Sequence, residues 1–203
     1  MIKNILFDIG SVLVLGDPAA TAAEFALYSD IPADRFTAGQ VFLPGVQLAF
    51  ERGEVSAEQY YRAFLETSRC RVSFRHFSVI WAKHFVEIPQ MTRLGRELAG
   101  SLKVFFLSNT NPLHIPALYH LFPGLLFFHG QALSYELGVL KPEPAFYQRA
   151  LEKLELDPGE CLFVDDLADN VAAARQVGMQ ALRHLDPGRT ASGIREVLER
   201  QGR

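Results

Sequence analysis

The sequence lacks the features that would place it in several special classes of protein. It has only two cysteines, Cys70 and Cys161, which form no CxxC pair and show no metal-ligand spacing. This excludes a disulfide-rich scaffold and favours a reducing compartment. Lysine and arginine (20 residues) do not exceed aspartate and glutamate (23 residues), and the net charge is -3. We therefore predict no nucleic-acid partner, because no basic surface is available to hold a polyanion.

Long apolar runs are also missing. The longest ones fall far short of the ~20 residues that a membrane-spanning helix needs. The first residues, MIKNILFD, lack the long apolar stretch and the small-residue cleavage site of a signal peptide. We therefore expect a cytoplasmic protein that does not bind membranes.

The sequence does contain enough apolar material for a well-buried core. Of its 203 residues, 49% are hydrophobic, and 16 are phenylalanine. This composition is typical of a folded enzyme and differs from that of disordered chains. The length suits one core of ordinary domain size with a small accessory unit.

Apolar segments alternate with helical patterns at both ends of the chain. Strands are predicted at residues 5–7, 103–107, 125–128, 161–164 and 180–183, and helices at about 89–98, 143–154 and 168–177. Strands separated by helices indicate a parallel sheet with right-handed crossovers. The predicted fold class is therefore α/β, with a parallel sheet flanked by helices.

The segment from about residue 18 to about residue 85 reads differently, because its pattern is helical and amphipathic throughout. Within it, Gly53 marks a turn and Ser56 is suited to begin a helix as its N-cap. Its large aromatic residues, Phe42, Phe50 and Trp81, are expected to pack in a core rather than line a pocket. We predict a discontinuous α/β core, residues 1–15 and 86–203, interrupted by a small helical cap, residues 16–85.

Three of the predicted strands end in polar residues. Asp8 follows the first, Ser108 and Asn109 follow the second, and Asp165 and Asp166 follow the fourth. Parallel strands bring such residues to one edge of the sheet, where ligands bind in open α/β folds. Clustered carboxylates repel each other, and a hard divalent cation with oxygen ligands removes that penalty. Mg²⁺ is therefore the expected cofactor.

Lys141 lies in the segment GVLKPEP, residues 138–144. Pro142 disfavours helix at the lysine itself, and Pro144 is suited to the start of the next helix. A lysine fixed in this way can neutralise a phosphoryl oxygen and the aspartate beside it. Together with a carboxylate and a cation, it suits the transfer of a phosphoryl group to that carboxylate.

These short motifs resemble those of a known family. In chain order they are FDIGSV (7–12), LSNT (107–110), KPEP (141–144) and FVDDLADN (163–170). The ordered set resembles the haloacid dehalogenase (HAD) superfamily of phosphatases, whose core is a Rossmann-like sheet. The segments FERGE (50–54) and NPLH (111–114), and the pairing of Asp166 with Asn170, are similar to one subgroup. That subgroup contains bacterial α-glucose-1-phosphate phosphatase and the N-terminal phosphatase domain of soluble epoxide hydrolase.

The resemblance implies a metal site around the first motif. Asp8 would be both the nucleophile and a metal ligand, and the carbonyl of Gly10 would be a second ligand. Asp166 would bind Mg²⁺ directly and Asp165 through water. Asn170 is a weaker candidate for the outer shell of the metal.

The resemblance also implies how the substrate is held and what becomes of it. Ser108 and Asn109 would bind the phosphoryl group, and Lys141 would complete the site. The implied activity is Mg²⁺-dependent hydrolysis of a small phosphorylated metabolite through an aspartyl-phosphate on Asp8. The enzyme would act as a monomer or homodimer.

Gly10 departs from the pattern of most of these phosphatases, which carry a second aspartate two residues after the nucleophile. Glycine cannot move a proton, so general acid–base help, typically worth about 10²–10⁴-fold, is absent or comes from elsewhere. An anomeric phosphate depends less on such help, because it leaves as a better leaving group, and sugar 1-phosphates would then be favoured. Alternatively, His114, Asp17 or Glu51 supplies the proton.

Two other functions fit parts of the pattern. A metal-independent 2-haloacid dehalogenase uses the same nucleophile, but a site without metal gains little from the paired acids Asp165 and Asp166. A low-activity member could bind phosphorylated ligands because Gly10 replaces the general acid. The presence of Asp8 and Lys141 disfavours a complete loss of turnover.

Overall fold

The computed structural model describes residues 1–126 and 128–200. The strands are β1 (Asn4–Phe7), β2 (Val14–Gly16), β3 (Phe85–Glu87), β4 (Lys103–Ser108), β5 (Gly130–Leu133), β6 (Cys161–Asp165) and β7 (Gln180–Arg183). The helices are α1 (Pro18–Ala26), α2 (Ala38–Val41), α3 (Pro44–Glu51), α4 (Ala57–Ser68), α5 (Phe74–Lys83), α6 (Pro89–Leu98), α7 (His114–Leu121), α8 (Ser134–Leu137), α9 (Pro144–Leu154), α10 (Ala168–Gln176) and α11 (Pro187–Arg200). Of the helices described, none has both the length and the apolarity needed to cross a bilayer.

The main sheet consists of five parallel strands in the order β5-β4-β1-β6-β7. In its central strand, β1, the side chains of Ile5, Leu6 and Phe7 are completely buried. An apolar strand of this kind is typical of a parallel sheet whose two faces are both covered. The predicted α/β fold, with a parallel sheet flanked by helices, is confirmed.

Strand β1 contributes to two hydrophobic cores, because successive side chains of a strand point to opposite faces of the sheet. Ile5 and Phe7 join the core that includes Met91 of α6. Leu6 joins the core on the other face, with Phe146 of α9. All three side chains are used in packing, so the first residue available for chemistry is Asp8, directly after the strand.

Helices α1 to α5 account for the regular structure of residues 18–83, as the helical pattern predicts. Ser56 is the N-cap of α4: its hydroxyl accepts a hydrogen bond from Gln59 N, and the Gln59 side chain accepts one from Ser56 N. The interior of this segment is rich in aromatic rings, namely Phe25, Phe50, Tyr60, Phe64, Phe77 and Trp81. The segment therefore has a core of its own.

A two-stranded antiparallel ribbon, β2 with β3, joins the helical segment to the main sheet. Leu15 pairs with Val86, and Gly16 pairs with Phe85. Both predicted boundaries, after residue 15 and before residue 86, fall within this ribbon. The chain therefore enters and leaves the helical segment at one place, which supports our proposal that residues 16–85 form a separate cap.

The strand predicted at residues 125–128 is wrong. Leu125 instead ends a 3₁₀ turn that begins at Pro123, and the strand of this region is β5, Gly130–Leu133. Leu125 is buried in the core from that turn, so its apolar character reflects burial rather than strand structure. Phe127, which belongs to the predicted strand, lies outside the described residues.

Gly53 provides a test of how the helical segment contacts the sheet domain. Its φ is +72°, and a Cβ at this position would collide with the carbonyl oxygen of Tyr135. We expect Gly53→Ala to lower the free energy of unfolding by about 1–3 kcal/mol, because alanine is strained at positive φ and overlaps backbone atoms.

Gly45→Ala is the matched control. A Cβ at Gly45 in α3 meets no atom of the described chain within 4 Å, and alanine favours the helix. Urea unfolding of the two variants measures the difference. A Gly53→Ala protein as stable as the Gly45→Ala protein would contradict this account of the contact.

Candidate active site

The three central strands of the sheet bring their polar ends together. β4 and β6 flank β1, with Phe7 opposite Phe106 on one side and Val164 on the other. Asp8 continues this register, and its backbone N–H donates to Val164 O at 2.9 Å. Asp8, Ser108 and Asp165 therefore lie side by side at the carboxyl edge of the sheet, as the motif positions predict.

Lys141 joins these three strands through its ammonium group. Its Nζ lies 2.8 Å from Asp8 Oδ1 and 2.7 Å from Asp165 Oδ2, and it donates to Leu107 O at 3.0 Å. Only 2% of its side chain is exposed. An ammonium group has three donors, and here there is one partner for each: Asp8 directly after β1, Asp165 on β6 and Leu107 on β4.

Asp165 is fully buried and its carboxylate is saturated with hydrogen bonds. Besides Lys141, it accepts from Leu167 N at 2.9 Å and from Asn170 Nδ2 at 2.9 and 3.0 Å. Asp8 differs, because 12% of its side chain remains exposed. Of these two aspartates, only Asp8 has surface with which to meet a substrate.

Burial and charge act against each other in this cluster. Burial raises the pKa of Asp8 to about 6; Lys141 opposes this shift and the neighbouring Asp165 carboxylate reinforces it. Burial also disfavours the charged form of Lys141, but the two carboxylates outweigh it and raise its pKa. The lysine therefore stays positive, and Asp8 is mostly ionised at neutral pH, although it takes up a proton more readily than an exposed aspartate does.

The residues present fit a hard divalent cation. One carboxylate oxygen from each of Asp8, Asp165 and Asp166 lies within 4.8 Å of the other two. Because the Asp165 oxygens already accept hydrogen bonds, Asp165 would reach a cation through water. An all-oxygen donor set is the one that Mg²⁺ prefers. A cation here would act together with Lys141 to favour the ionised form of Asp8.

Asn109 has a role that the motif alone does not reveal. Its Nδ2 donates to Lys141 O at 2.9 Å, and its Oδ1 accepts from Lys141 N at 2.8 Å. The side-chain amide therefore holds the backbone of the lysine, and its second Nδ2 hydrogen and the backbone N–H of Asn109 are left for a phosphoryl oxygen. Ser108 keeps a hydroxyl at the sheet edge, where it is 3.3 Å from Asn109 O.

Ser134 is a residue that sequence reasoning missed. It is completely buried, and its hydroxyl accepts from Thr110 N at 2.9 Å and donates to Thr110 O at 3.0 Å. These bonds fix the loop that follows Ser108 and Asn109. A signal was present, since Ser134 is a further polar residue directly after a strand, but the strand was predicted in the wrong place.

The three residues considered as alternative proton donors lie in different surroundings. Burial lowers the pKa of His114 to about 4, and its Nδ1 lies 3.1 Å from Asn111 Nδ2. Asp17 caps α1 by accepting from Ala20 N at 2.8 Å. Burial raises the pKa of Glu51. In the part of the chain that the structure describes, none of the three forms a hydrogen bond or ion pair with Asp8.

Lys141→Met tests whether the lysine holds the two carboxylates. We expect the free energy of unfolding to fall by about 3–5 kcal/mol, because Asp8 and Asp165 then stay buried without their cation. The control is Lys153→Met, which breaks an exposed pair with Glu136 and should cost about 0–1 kcal/mol. Chemical denaturation at neutral pH without divalent cations compares them, and equal losses would contradict the assignment.

Two relatives of similar length are phosphatases by name. The D-ribitol-5-phosphate phosphatase of Bacteroides thetaiotaomicron is 27% identical over 90% of this chain and 92% of its own length. The sesquiterpene phosphatase astK of Aspergillus oryzae is 26% identical over 97% of this chain and 96% of its own. The carbon skeletons in these two names differ widely, from a polyol to a terpene.

Other relatives match only in part. Drimenol cyclase drtB from Aspergillus calidoustus is 26% identical over 90% of this chain, but this chain spans only 34% of its length. Acyl-CoA dehydrogenase family member 10 from Mus musculus is 25% identical over 97% of this chain, which spans only 19% of its length. A match to bifunctional epoxide hydrolase 2 from Rattus norvegicus, 39% identical, covers 32% of this chain and 11% of that protein. This match agrees with the predicted subgroup, which includes the phosphatase domain of soluble epoxide hydrolase.

The fold is shared with solved structures of the same family. A HAD family enzyme from Bacteroides thetaiotaomicron, solved with magnesium and inorganic phosphate, superposes with a TM-score of 0.78. It is 25% identical, and the match covers 90% of this chain and 94% of that one. The family model described as haloacid dehalogenase-like hydrolase matches residues 2–178. The chain therefore belongs to the haloacid dehalogenase-like hydrolases, the family that its four motifs resemble.

Proposed function

We propose that this enzyme is a Mg²⁺-dependent phosphatase that hydrolyses a small phosphorylated metabolite through an aspartyl-phosphate on Asp8. The observation that carries the proposal is the buried Lys141 between Asp8 and Asp165, with Asp166 beside them. Two relatives that are phosphatases by name and a related structure with magnesium and phosphate support it.

Asp8 is the proposed nucleophile because it is held in place and still partly exposed. Its carboxylate attacks phosphorus, a bond forms between Asp8 and the phosphoryl group, and the bond to the leaving oxygen breaks. Lys141 balances the negative charge that gathers between carboxylate and phosphoryl group. Water then hydrolyses the aspartyl-phosphate, which releases phosphate and restores Asp8.

The remaining residues hold the parts in position. Ser108 and the backbone N–H of Asn109 would bind the phosphoryl oxygens, while the Asn109 amide keeps Lys141 in place. Asp165 is primarily a positioning residue for Lys141, since its oxygens are already saturated. A role for Asp165 in binding the metal through water stays a prediction.

Asp8, the Gly10 carbonyl and Asp166 would hold Mg²⁺. When bound, the ion neutralises charge on the phosphoryl group and keeps Asp8 ionised. This requirement separates the proposal from the metal-independent dehalogenase, which has the same nucleophile. The clustered acids Asp165 and Asp166 favour the phosphatase.

Metal removal and Asp8→Asn test the mechanism. We expect chelation by EDTA to abolish hydrolysis of 4-nitrophenyl phosphate and added Mg²⁺ to restore it. Asp8→Asn should lower kcat by at least about a thousandfold, because an amide is not a nucleophile here. Asp157→Asn is the control, since this exposed residue only caps a 3₁₀ turn. Activity without metal, or an active Asp8→Asn protein, would overturn the mechanism.

Gly10 bears on which phosphates are good substrates. A Cβ built at this position meets no described atom within 4 Å, so the structure leaves room for a side chain that the sequence does not supply. Without a general acid there, a leaving group that departs easily is favoured. We therefore propose that sugar 1-phosphates are better substrates than sugar 6-phosphates.

Gly10→Asp tests the consequence of the missing acid. We expect kcat/KM of the parent to be higher for glucose 1-phosphate than for glucose 6-phosphate. Gly10→Asp should narrow that gap by raising the rate with the 6-phosphate, by up to about 10²-fold, and Gly10→Asn should not. An equal or reversed preference in the parent protein counts against the hypothesis.

A further inference from the structure

The loop at the carboxyl end of β4, residues 108–111, carries Ser108 and Asn109, which are proposed to hold the phosphoryl oxygens. We call it the phosphoryl loop. Its last residue, Asn111, is completely buried. The Oδ1 atom of Asn111 accepts a hydrogen bond from His114 N at 3.2 Å. The end of the phosphoryl loop is therefore fixed to the start of α7.

The ring of His114 makes a second contact with the same loop residue. Its Nδ1 lies 3.1 Å from Asn111 Nδ2. The amide nitrogen donates, so Nδ1 is the acceptor and the proton of the neutral ring lies on Nε2. Burial lowers the pKa of His114 to about 4, and a hydrogen bond with the Trp81 backbone opposes this shift. The neutral ring therefore accepts from the phosphoryl loop at Nδ1 and donates to the Trp81 carbonyl.

Trp81 belongs to the helical segment, so the His114 ring joins two parts of the chain. The Trp81 side chain lies in α5, within the aromatic core of that segment. Its indole stacks on the His114 ring, with a centroid distance of 5.7 Å and an interplanar angle of 20°. Phe85 of β3 packs edge-on against the same ring at 5.0 Å. His114 thus contacts both the last helix of the segment and the ribbon through which the chain leaves it.

The neighbours of His114 in the sequence divide between the same two parts. Leu113 packs against the aromatic core of the helical segment, and Ile115 lies in one core of the sheet domain. Close-packed side chains cannot shift independently, because a displacement of one is passed to the atoms it touches. A change in the position of the helical segment therefore reaches Asn111 through the His114 ring.

We propose that His114 is a positioning residue that couples the placement of the helical segment to the geometry of the phosphoryl loop. This rests on the proposed phosphatase function. The histidine moves no proton in the reaction, and its neutral ring acts through Asn111. Because coupling between two sites is reciprocal, a phosphate ion held by the loop also stabilises the segment around Trp81 and Phe85.

His114→Phe tests the coupling, because it keeps an aromatic ring beside Trp81 and loses both hydrogen bonds of the imidazole. We expect its affinity for inorganic phosphate, measured by calorimetry with Mg²⁺ present, to fall at least about tenfold, since each lost bond is worth about three- to tenfold. kcat/KM for 4-nitrophenyl phosphate should fall by a similar factor. His114→Asn should recover part of the loss, because its amide oxygen can replace Nδ1 as the acceptor for Asn111.

His129→Phe is the matched control. His129 Nδ1 accepts from Val104 N at 3.0 Å, near the amino end of β4 and so at the opposite end of that strand from the phosphoryl loop. The loss of this bond should lower stability to urea and leave phosphate affinity and kcat/KM unchanged. A His114 with a purely structural role would give the same result as this control.

Hydrogen exchange measures the coupling without turnover. Saturating phosphate should slow amide exchange of the parent protein at residues 81–86 as well as in the phosphoryl loop. In His114→Phe, saturated with phosphate, the loop should still be protected and residues 81–86 should not. The coupling would be overturned if the parent shows no protection at residues 81–86, or if His114→Phe shows as much as the parent.

The outcomes separate this inference from the phosphatase proposal. Parent-like phosphate affinity in a folded His114→Phe protein would refute the positioning role, while hydrolysis by the parent stands. If the parent does not hydrolyse 4-nitrophenyl phosphate, the phosphatase proposal fails, and phosphate affinity and hydrogen exchange still decide the role of His114. A parent that binds no phosphate would refute both.

Circular dichroism checks that the variants fold. If His114→Phe does not, His114→Asn and His114→Gln take its place, because the first keeps an acceptor for Asn111 and the second keeps a donor for the Trp81 carbonyl. Each should then lose about three- to tenfold in phosphate affinity, as expected for one hydrogen bond. Parent-like affinity in both would overturn the inference.

Discussion

The rest of the site depends on one buried cation, the ammonium group of Lys141. It contacts the carboxylate that directly follows β1, a carboxylate at the end of β6 and a backbone carbonyl on β4, so a single side chain fixes the spacing of three strand ends. Two buried carboxylates this close would otherwise repel each other and take up a proton. The lysine therefore allows the Asp8 carboxylate to be largely buried and fixed in position while it stays mostly ionised.

The residues that hold Lys141 and its partner Asp165 in place are distant from Lys141 in the sequence. The Asn109 amide binds both backbone groups of Lys141, and Asn170 holds the carboxylate of Asp165 from the opposite side. Asn109 directly follows β4, and Asn170 lies in the first turn of α10, the helix after β6. Polar residues of a motif can thus serve mainly to hold other motif residues in position.

Much of the fold could be predicted from the sequence, because the strands that matter are apolar and short. Gln180–Arg183 and the helix Pro89–Leu98 have the predicted bounds, and Asp8 follows its strand as expected. The error at residues 125–128 has a physical cause. Apolar residues mark burial whether the backbone is a turn or a strand, and β5 is an edge strand whose polar and small residues, Gly130 and Gln131, give a weak signal.

From the sequence, the site could be predicted only for residues at the carboxyl ends of strands. The edge of a parallel sheet places Asp8, Ser108 and Asp165 together, and no further information is needed. The partners of Asn109 and Ser134 could not be read from spacing, because both bonds join segments that are far apart in the chain. The state of the Trp81 indole is likewise a property of packing. The sequence indicates a core aromatic, and only the structure shows that its Nε1 has no hydrogen-bond partner among residues 1–126 and 128–200.

The ribbon of β2 and β3 has a consequence for how this architecture diversifies. Because Gly16 pairs directly with Phe85, the two ends of the helical segment are neighbours. The helical segment is therefore inserted into the rest of the chain at a single point. Insertions, deletions and wholesale replacement between those ends leave the strand order and the lysine unchanged. The helical segment and the cluster of polar residues at the sheet edge can therefore evolve at different rates within one chain.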